Sequence, residues 1–231
     1  MAVYEFDGWM SQVVKSDNVH LSQNLAQGIN DPQSARVAAE IKRSGIAAIA
    51  FTLPDPQHMA YFNWFAKQDL QALPGKVTIS RTRANYLGSD QVDNYMFLPT
   101  ANVEAMFERA RRGETFAATL SDSDLTDAKE IRQGSPDVYN QRMRSKAVRD
   151  GFHVVDLEAL YKSVYEGRYT TDDGYPIDGS PRGNFFSADG VYPSAIGSAV
   201  IANETIKVIN RAYKASIPLI NVREFAQSLG K

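Results

Sequence analysis

The chain has 231 residues, a length that suits one domain with a sizeable core. Hydrophobic residues make up 43% and charged residues 23%, and the net charge is −2, so no strong electrostatic field favours nucleic acid or an anionic membrane. There is no cysteine, which excludes a disulfide framework and a thiolate zinc site. We predict no transmembrane segment, because no apolar run approaches the roughly 18 residues that a span needs.

The first half of the chain predicts a helix followed by a buried strand. Residues 1–30 are weakly patterned, with a candidate short strand at Val3–Phe6. Asp31 is a good N-cap, Pro32 suits the first position of a helix, and Gly45 follows its end. The apolar run Ile46–Phe51 comes next. A helix, a glycine and a continuous apolar run indicate a parallel strand buried in an α/β sheet.

Helices and strands continue to alternate in the rest of the chain. The glycine- and aspartate-rich residues 166–184 are predicted to form a loop. The other predicted elements are strands at Val77–Ser80 and Phe152–Asp156, and helices at Ala101–Arg112, Ser135–Asp150, Leu157–Tyr165 and Ser194–Tyr213. This alternation predicts an α/β fold with a parallel sheet.

Several segments resemble one hydrolase family in the correct order. Residues 185–194 read Phe-Phe-Ser-Ala-Asp-Gly-Val-Tyr-Pro-Ser, and the pair Ala202-Asn203 follows. This block resembles the end of secreted bacterial SGNH hydrolases (GDSL-type ester hydrolases), where an Asp-x-x-His-Pro turn precedes a C-terminal helix with an Ala-Asn pair. Upstream segments that also resemble the family are Thr52–Asp55 with Tyr61-Phe62, Leu125-Thr126, Val138–Asn140 and Val154–Leu157 with Ala159-Leu160.

The resemblance covers residues 28–222 and corresponds to the C-terminal part of the family's domain. It implies a single SGNH-hydrolase-like domain over residues 1–231, with residues 1–30 as an atypical N-terminal segment. The implied fold is a three-layer α/β sandwich around a flavodoxin-like parallel sheet, whose N-terminal strands are missing or rebuilt. The family's secreted members also imply an extracytoplasmic location: periplasmic, outer-membrane-associated or secreted.

The chemistry of the family shows what this chain lacks. A serine attacks the ester, a histidine accepts its proton, an aspartate orients the imidazole, and glycine and asparagine donors hold the oxyanion. No Gly-Asp-Ser turn precedes Ile46. Asp189 stands at the aspartate position, but Tyr192 occupies the place of the histidine. A phenol with an ordinary pKa near 10 is a poor general base at neutral pH. Asp189 and Tyr192 are therefore predicted to form a vestigial site.

Two other residues are weaker candidates for catalysis. Asn30, in Gly28-Ile29-Asn30-Asp31, matches the family's oxyanion asparagine, although a helix N-cap explains the same letters. His58 lies just past the predicted strand, at the edge of the sheet where α/β sites form, although an exposed loop histidine is the simpler interpretation. We predict no cofactor and no metal. The acidic loop Asp172, Asp173 and Asp178 matches no cation-binding spacing and favours a solvated turn. Residues 121–124 are interpreted as capping residues before a helix.

The missing N-terminal strands raise the question of what completes the sheet. Thirty weakly patterned residues cannot hold three strands and their crossovers, since each βαβ unit takes roughly 30 residues. Either Val3–Phe6 and Val77–Ser80 rebuild the sheet, or a partner or oligomer completes it. An uncovered parallel strand favours aggregation, so we expect a protein partner.

Three functions remain open at this stage. The favoured one is a non-catalytic pseudoenzyme that acts as a structural or interaction subunit of a larger assembly. The second is an ester hydrolase, a lipase or acylhydrolase, that another chain completes. The third is a glycan- or lipid-binding module that uses the former active-site cleft, with contacts from Tyr61, Phe62, Trp64, Phe65 or Tyr192.

Overall fold

The computed structural model describes residues 32–65, 69, 77–81, 86–87, 95–121, 123–127 and 137–230. The helices are α1 (Pro32–Arg43), α2 (Ala101–Arg111), α3 (Asp137–Asp150), α4 (Leu157–Tyr165), α5 (Ala195–Tyr213) and α6 (Val222–Ser228). The strands are β1 (Ile49–Phe51), β2 (Val77–Arg81), β3 (Tyr86–Leu87), β4 (Tyr95–Phe97), β5 (Phe116–Leu120), β6 (Leu125–Asp127) and β7 (His153–Val155). Two short 3₁₀ helices, Pro56–His58 and Ala60–Asn63, follow β1.

Short-range signals set most of these boundaries. Gly45 and Gly151 have positive φ angles of 63° and 77°, a conformation that glycine adopts without strain, and they follow the ends of α1 and α3. The Asp156 side chain caps α4 by accepting a hydrogen bond from the N–H of Ala159, and Ser194 caps α5 in the same way through Gly197. The predicted helices and strands in the described part of the chain are confirmed. The strands predicted at Ile46–Phe51 and Phe152–Asp156 are shorter than expected, and the one at Val77–Ser80 extends by one residue to Arg81.

The strands form small separate sheets rather than one large one. β1 and β7 are parallel and in register, with Ile49 opposite His153. β2 lies between β5, to which it is parallel, and β3, to which it is antiparallel. β4 and β6 form an antiparallel pair. The chain is therefore α/β, with parallel and antiparallel pairing. The expectation that Val77–Ser80 rebuilds the sheet beside Ile46–Phe51 is wrong, because β2 pairs with β3 and β5.

The buried apolar side chains form two clusters. The larger cluster joins the segment after β1 to α4, α5 and α6, with Met59, Tyr161 and Phe185 almost fully buried. The smaller cluster lies between α2 and the strands β4, β5 and β6 and centres on Phe107. The smaller cluster takes residues from strands of two sheets, Phe97 and Leu125 from one and Leu120 from the other. Within the described ranges, no helix is both long and apolar enough to span a membrane.

Asparagine side chains fix three loop residues. In each case the amide oxygen accepts a hydrogen bond from the N–H of one residue while the amide nitrogen donates to its C=O, an arrangement that we call an asparagine clamp. Asn140 of α3 clamps Leu53, with both distances 2.7 Å. On α5, Asn203 clamps Ile220 and Asn210 clamps Ile217, at 2.8–2.9 Å. The α5 clamps hold the extended segment that leads to α6.

Some expectations from the sequence need correction or lie outside the described residues. Residues 123–124 precede the strand β6 rather than a helix, and the Asp124 carboxylate accepts hydrogen bonds from Thr100, Asn102 and Ser121. The sequence analysis also missed α6. The candidate strand Val3–Phe6, the oxyanion candidate Asn30 and the predicted cap Asp31 lie outside the described residues.

Candidate active-site turn

The turn that carries the resemblance is closed by its own backbone. The N–H of Ser187 donates to the C=O of Tyr192 at 2.7 Å, and the N–H of Gly190 donates to the C=O of Ser187 at 3.0 Å. Gly190 has a φ of 70°, which favours glycine over any residue with a Cβ. The turn then leads directly into the Ser194 cap of α5, so its position is fixed at both ends.

One oxygen of the Asp189 carboxylate is engaged inside this turn. Its Oδ1 accepts hydrogen bonds from the Oγ of Ser187 at 2.6 Å, the N–H of Val191 at 2.8 Å and the N–H of Tyr192 at 3.0 Å. Partial burial acts to raise the pKa of Asp189, but these hydrogen bonds outweigh it and hold that pKa below its usual value. The carboxylate therefore stabilises the turn.

Tyr192 lies at the surface beside this carboxylate. Tyr192 is 41% exposed. Its backbone N–H and C=O both form hydrogen bonds within the turn. Asp189 and Tyr192 therefore contact each other through the main chain of Tyr192. No imidazole is among the donors that Asp189 accepts from in this turn.

The turn also contacts the segment that follows β1. The C=O of Gly190 accepts a hydrogen bond from the N–H of Tyr61 at 2.8 Å. A Cβ added at Gly190 would lie 2.7 Å from that same nitrogen, a distance that forces a shift. Glycine is therefore required at this position both for its φ angle and for the close approach. Two of the resembling segments, Tyr61-Phe62 and residues 185–194, meet at this contact.

His58 ends the short 3₁₀ helix just past β1, as the sequence placed it. Asp55 caps this helix by accepting a hydrogen bond from the N–H of Gln57 at 2.9 Å. The imidazole packs against the ring of Tyr165, with centroids 5.2 Å apart, and its Nδ1 is buried without a hydrogen-bond partner. Burial lowers the pKa of His58 below 6.5, and nearby Lys162 lowers it further, against the opposing effect of Asp55. His58 is therefore neutral at pH 7.

A polar network that the sequence analysis missed joins the carboxyl ends of β1 and β7. Thr52 follows β1, and its Oγ1 donates to Asp156 Oδ1 at 3.0 Å while accepting from the N–H of Glu158 at 3.0 Å. Arg144 of α3 binds both carboxylates, at 2.9 Å from Asp156 and 2.5 Å from Glu158. The signal was available, since polar residues directly after parallel strands gather at one edge of a sheet. Each described member of this network is satisfied by the others.

Most of the aromatic side chains proposed as a contact surface are partly or fully buried. Phe62 is 4% exposed and belongs to the larger cluster. Phe65 stacks on Phe107 in the smaller one, with centroids 4.2 Å apart. Tyr61 is half-buried, and this burial raises its pKa. Tyr192 is the exposed member of the set, so these aromatics do not form a shared exposed platform.

The acidic loop is also occupied by internal contacts. Asp173 accepts hydrogen bonds from the hydroxyl of Thr171 and from the N–H groups of Tyr175 and Arg223, which join the loop to α6. Asp172 pairs with Lys207 at 2.6 Å. Asp178 accepts from the N–H of Ser180 at 2.8 Å. Among the described residues, no group of three or more histidine, cysteine, aspartate or glutamate side chains could hold a metal ion.

Comparison with known proteins adds no relative from which a function can be transferred. No protein-family model, no curated protein and no solved structure matches this chain.

Proposed function

We propose that this chain is a non-catalytic SGNH-hydrolase-like protein that acts as a structural or interaction subunit of a larger assembly. The observation that carries the proposal is the engagement of Asp189, whose Oδ1 accepts hydrogen bonds from Ser187, Val191 and Tyr192. In a Ser-His-Asp triad, the aspartate must accept from an imidazole N–H to orient the base. Here the corresponding carboxylate stabilises a surface turn.

Tyr192 supports the same proposal. A phenol is protonated at neutral pH and accepts a proton poorly, so it does not replace the histidine as a general base. Gly190, Asp189 and the Ser194 cap hold this turn in place, and the turn supplies no base.

Ester hydrolysis by the purified chain tests this proposal. We expect no turnover of p-nitrophenyl acetate or p-nitrophenyl octanoate above the rate given by the Asp189→Asn variant at equal concentration. Tyr192→Phe, which keeps the ring and removes the hydroxyl, should equal the wild type. Sustained turnover that either substitution abolishes would show that the turn is catalytic and would refute the pseudoenzyme.

The partner that we propose would complete the sheet at β1. In the described part of the chain, β1 pairs with β7 and with no other strand, and each has three residues. Parallel sheets are normally buried on both faces and wider than two strands. A second strand on the open edge of β1 would supply main-chain hydrogen bonds and cover Ala50.

The mass of the natively purified particle tests the partner. A particle heavier than the 25.6 kDa chain, with every polypeptide in it identified, would support a subunit role. Because the chain has no cysteine, a single Ala50→Cys substitution allows crosslinking from β1, and Ser228→Cys on exposed α6 is the matched control. A monomer in which neither position crosslinks to a second polypeptide would contradict the assembly.

A second candidate function is an ester hydrolase in which His58 serves as the base. The specific observation in its favour is the neutral imidazole with a buried, unbonded Nδ1 at the carboxyl end of β1. It would need a nucleophile from a segment outside the described residues or from another chain. Turnover that His58→Phe abolishes and Asp189→Asn leaves intact would favour it over the pseudoenzyme.

The resemblance to secreted enzymes also leads us to propose an extracytoplasmic location. Fractionation of the source cells, with the chain detected by antibody, tests it. Recovery in the cytoplasmic fraction alone would contradict it.

A further inference from the structure

A cleft of about 300 Å³ lies beside β7, away from the Asp189 turn, and is lined by residues of β7, α4 and α5 together with Tyr169. Val154 and Val155 both line it, although successive side chains of a strand point to opposite faces of the sheet. The cleft therefore runs along an edge of β7. No residue of β1 lines it, so this is the outer edge of the strand.

Among the described strands β7 pairs with β1 alone, so its outer edge presents a main-chain donor that no described strand binds. The N–H of His153 and the C=O of Val155 form hydrogen bonds toward the β1 side, with Ala48 and Thr52. Along a strand, the backbone groups of the residue in between point the other way, so the N–H of Val154 faces the cleft. A donor at the edge of a strand can bind an extended ligand or an anion.

The charged side chains of the cleft differ in whether they have a partner among the described residues. Asp156 is bound by Thr52 and Arg144. Glu204 accepts from the hydroxyl of Tyr169 at 2.8 Å and pairs with Lys207 at 2.7 Å. Of the charged side chains lining the cleft, Arg211 alone makes no hydrogen bond or ion pair with any described residue. Among the described residues, Arg211 is therefore the charged side chain of the lining that is left to bind a ligand, while partners outside the lining offset Asp156 and Glu204.

The rest of the lining is aliphatic. Val154, Leu160 and Val208 supply apolar surface, and the hydroxyl of Ser163 already donates to the C=O of Leu160 at 2.7 Å. An apolar floor with one unpaired guanidinium suits an anion that carries a hydrocarbon tail, since guanidinium binds carboxylate through two parallel hydrogen bonds. The volume is at the small end of ligand sites, which are about 300–1,000 Å³.

From this arrangement we propose that the cleft between α4, β7 and α5 binds a small aliphatic carboxylate, with Arg211 holding the carboxylate and Val154, Leu160 and Val208 contacting the tail. The site is separate from the Asp189 turn, so its occupancy does not depend on whether the chain hydrolyses esters. A free medium-chain acid is the ligand class that fits both the charge and the size.

Calorimetric titration of the full chain with sodium octanoate tests the assignment. We expect saturable binding, and binding of butanoate at least about tenfold weaker, because each buried CH₂ contributes about fourfold in affinity. Arg211→Gln should weaken octanoate by about tenfold or more, while Arg142→Gln, on the exposed surface of α3 outside the cleft, should leave it unchanged. Octylamine should not bind.

Four results would overturn the proposal. The first is an absence of saturable octanoate binding up to millimolar concentration. The second is an equal effect of Arg211→Gln and Arg142→Gln, which would place the acid on the general surface. The third is tighter binding of a short peptide with an apolar C-terminal residue than of octanoate, which would make the cleft a site for chain ends. Val208→Asp, which puts a negative charge on the floor, should abolish octanoate binding, and an unchanged affinity would also contradict the assignment.

Discussion

Asn140 of α3 satisfies both backbone groups of Leu53, the second residue after β1, and does so while fully buried at 0% exposure. The two residues are 87 positions apart. This clamp joins the carboxyl end of β1 to the helix that precedes β7, so it fixes the edge of the sheet at which Thr52, Asp156 and Arg144 meet.

The Asn140→Asp variant should lower the free energy of unfolding by about 3 kcal/mol at pH 7. The substitution keeps the shape and one acceptor, but it leaves the Leu53 C=O without its donor and buries a carboxylate. Chemical denaturation measures the loss. Gln141→Glu is the control, because Gln141 is the exposed neighbour on the same helix and should change stability by no more than about 0.5 kcal/mol. Equal losses in the two variants would mean that the clamp contributes nothing specific.

Two glycine substitutions distinguish the energetic cost of a positive φ angle from the cost of a steric clash with a neighbouring backbone. Gly167 and Gly190 have φ angles of 65° and 70°, but a Cβ at Gly167 meets nothing within 4 Å, whereas one at Gly190 meets the backbone of Tyr61. We expect Gly167→Ala to cost about 1 kcal/mol from its φ angle alone. Gly190→Ala should cost about 3 kcal/mol, because the contact with Tyr61 must also open. Thermal and chemical unfolding would show the difference, and similar losses would indicate that the turn shifts freely.

Acid should remove the contribution of Asp189 to stability. Since hydrogen bonds hold its folded-state pKa below the unfolded value near 3.9, the ionised carboxylate stabilises the fold fully above that value. The contribution is lost as the pH falls through the lower folded-state pKa. Asp189→Asn should therefore reduce the free energy of unfolding by about 1 kcal/mol at pH 7, and the gap to the wild type should close toward pH 3. A gap that stays constant with pH would show that the charge plays no part.

His58 gives a second pH experiment, at a pH nearer neutrality. Its folded-state pKa is lowered mainly by burial, so protonation favours the unfolded chain, and stability falls as the pH drops below the unfolded value of 6.5. His58→Phe keeps a ring against Tyr165 and removes the unbonded buried Nδ1. The variant should match or exceed the wild type at pH 8 and lose less stability between pH 7 and pH 5. A wild-type-like pH dependence in the variant would assign the effect to another group.

The sequence predicted the local elements well because their signals are local. Gly45 and Gly151 mark the ends of α1 and α3, and Asp156 marks the start of α4, each through its own backbone or side chain. The pairing of strands is different, because it joins segments that are distant in the sequence. β2 and β5 lie more than thirty residues apart, as roughly one βαβ unit requires, and the residues of one strand do not indicate which other strand it pairs with. The prediction that Val77–Ser80 would join β1 failed for this reason.

The candidate site was predicted in its residues but not in its bonding. The spacing of Asp189 and Tyr192 placed both in one turn, yet the three donors to Asp189 depend on the backbone path through Gly190. The Ala202-Asn203 pair was recognised as part of a resemblance, but the sequence could not show that Asn203 binds Ile220, 17 residues away. The polar network of Thr52, Asp156 and Arg144 likewise depends on contacts between distant elements.

The spacing of the two clamps on α5 matches the length of the extended segment that they hold. Asn203 and Asn210 are seven residues apart, which is about 10.5 Å along a helix. Ile220 and Ile217, the residues they hold, are three apart, which is about 10 Å of extended chain. Inserting or deleting one residue between Ile217 and Ile220 would break the hydrogen bonds of one clamp, whatever the side chains of the segment are. Because both clamps bind the backbone, the chemistry of this segment is free to vary while its length is not.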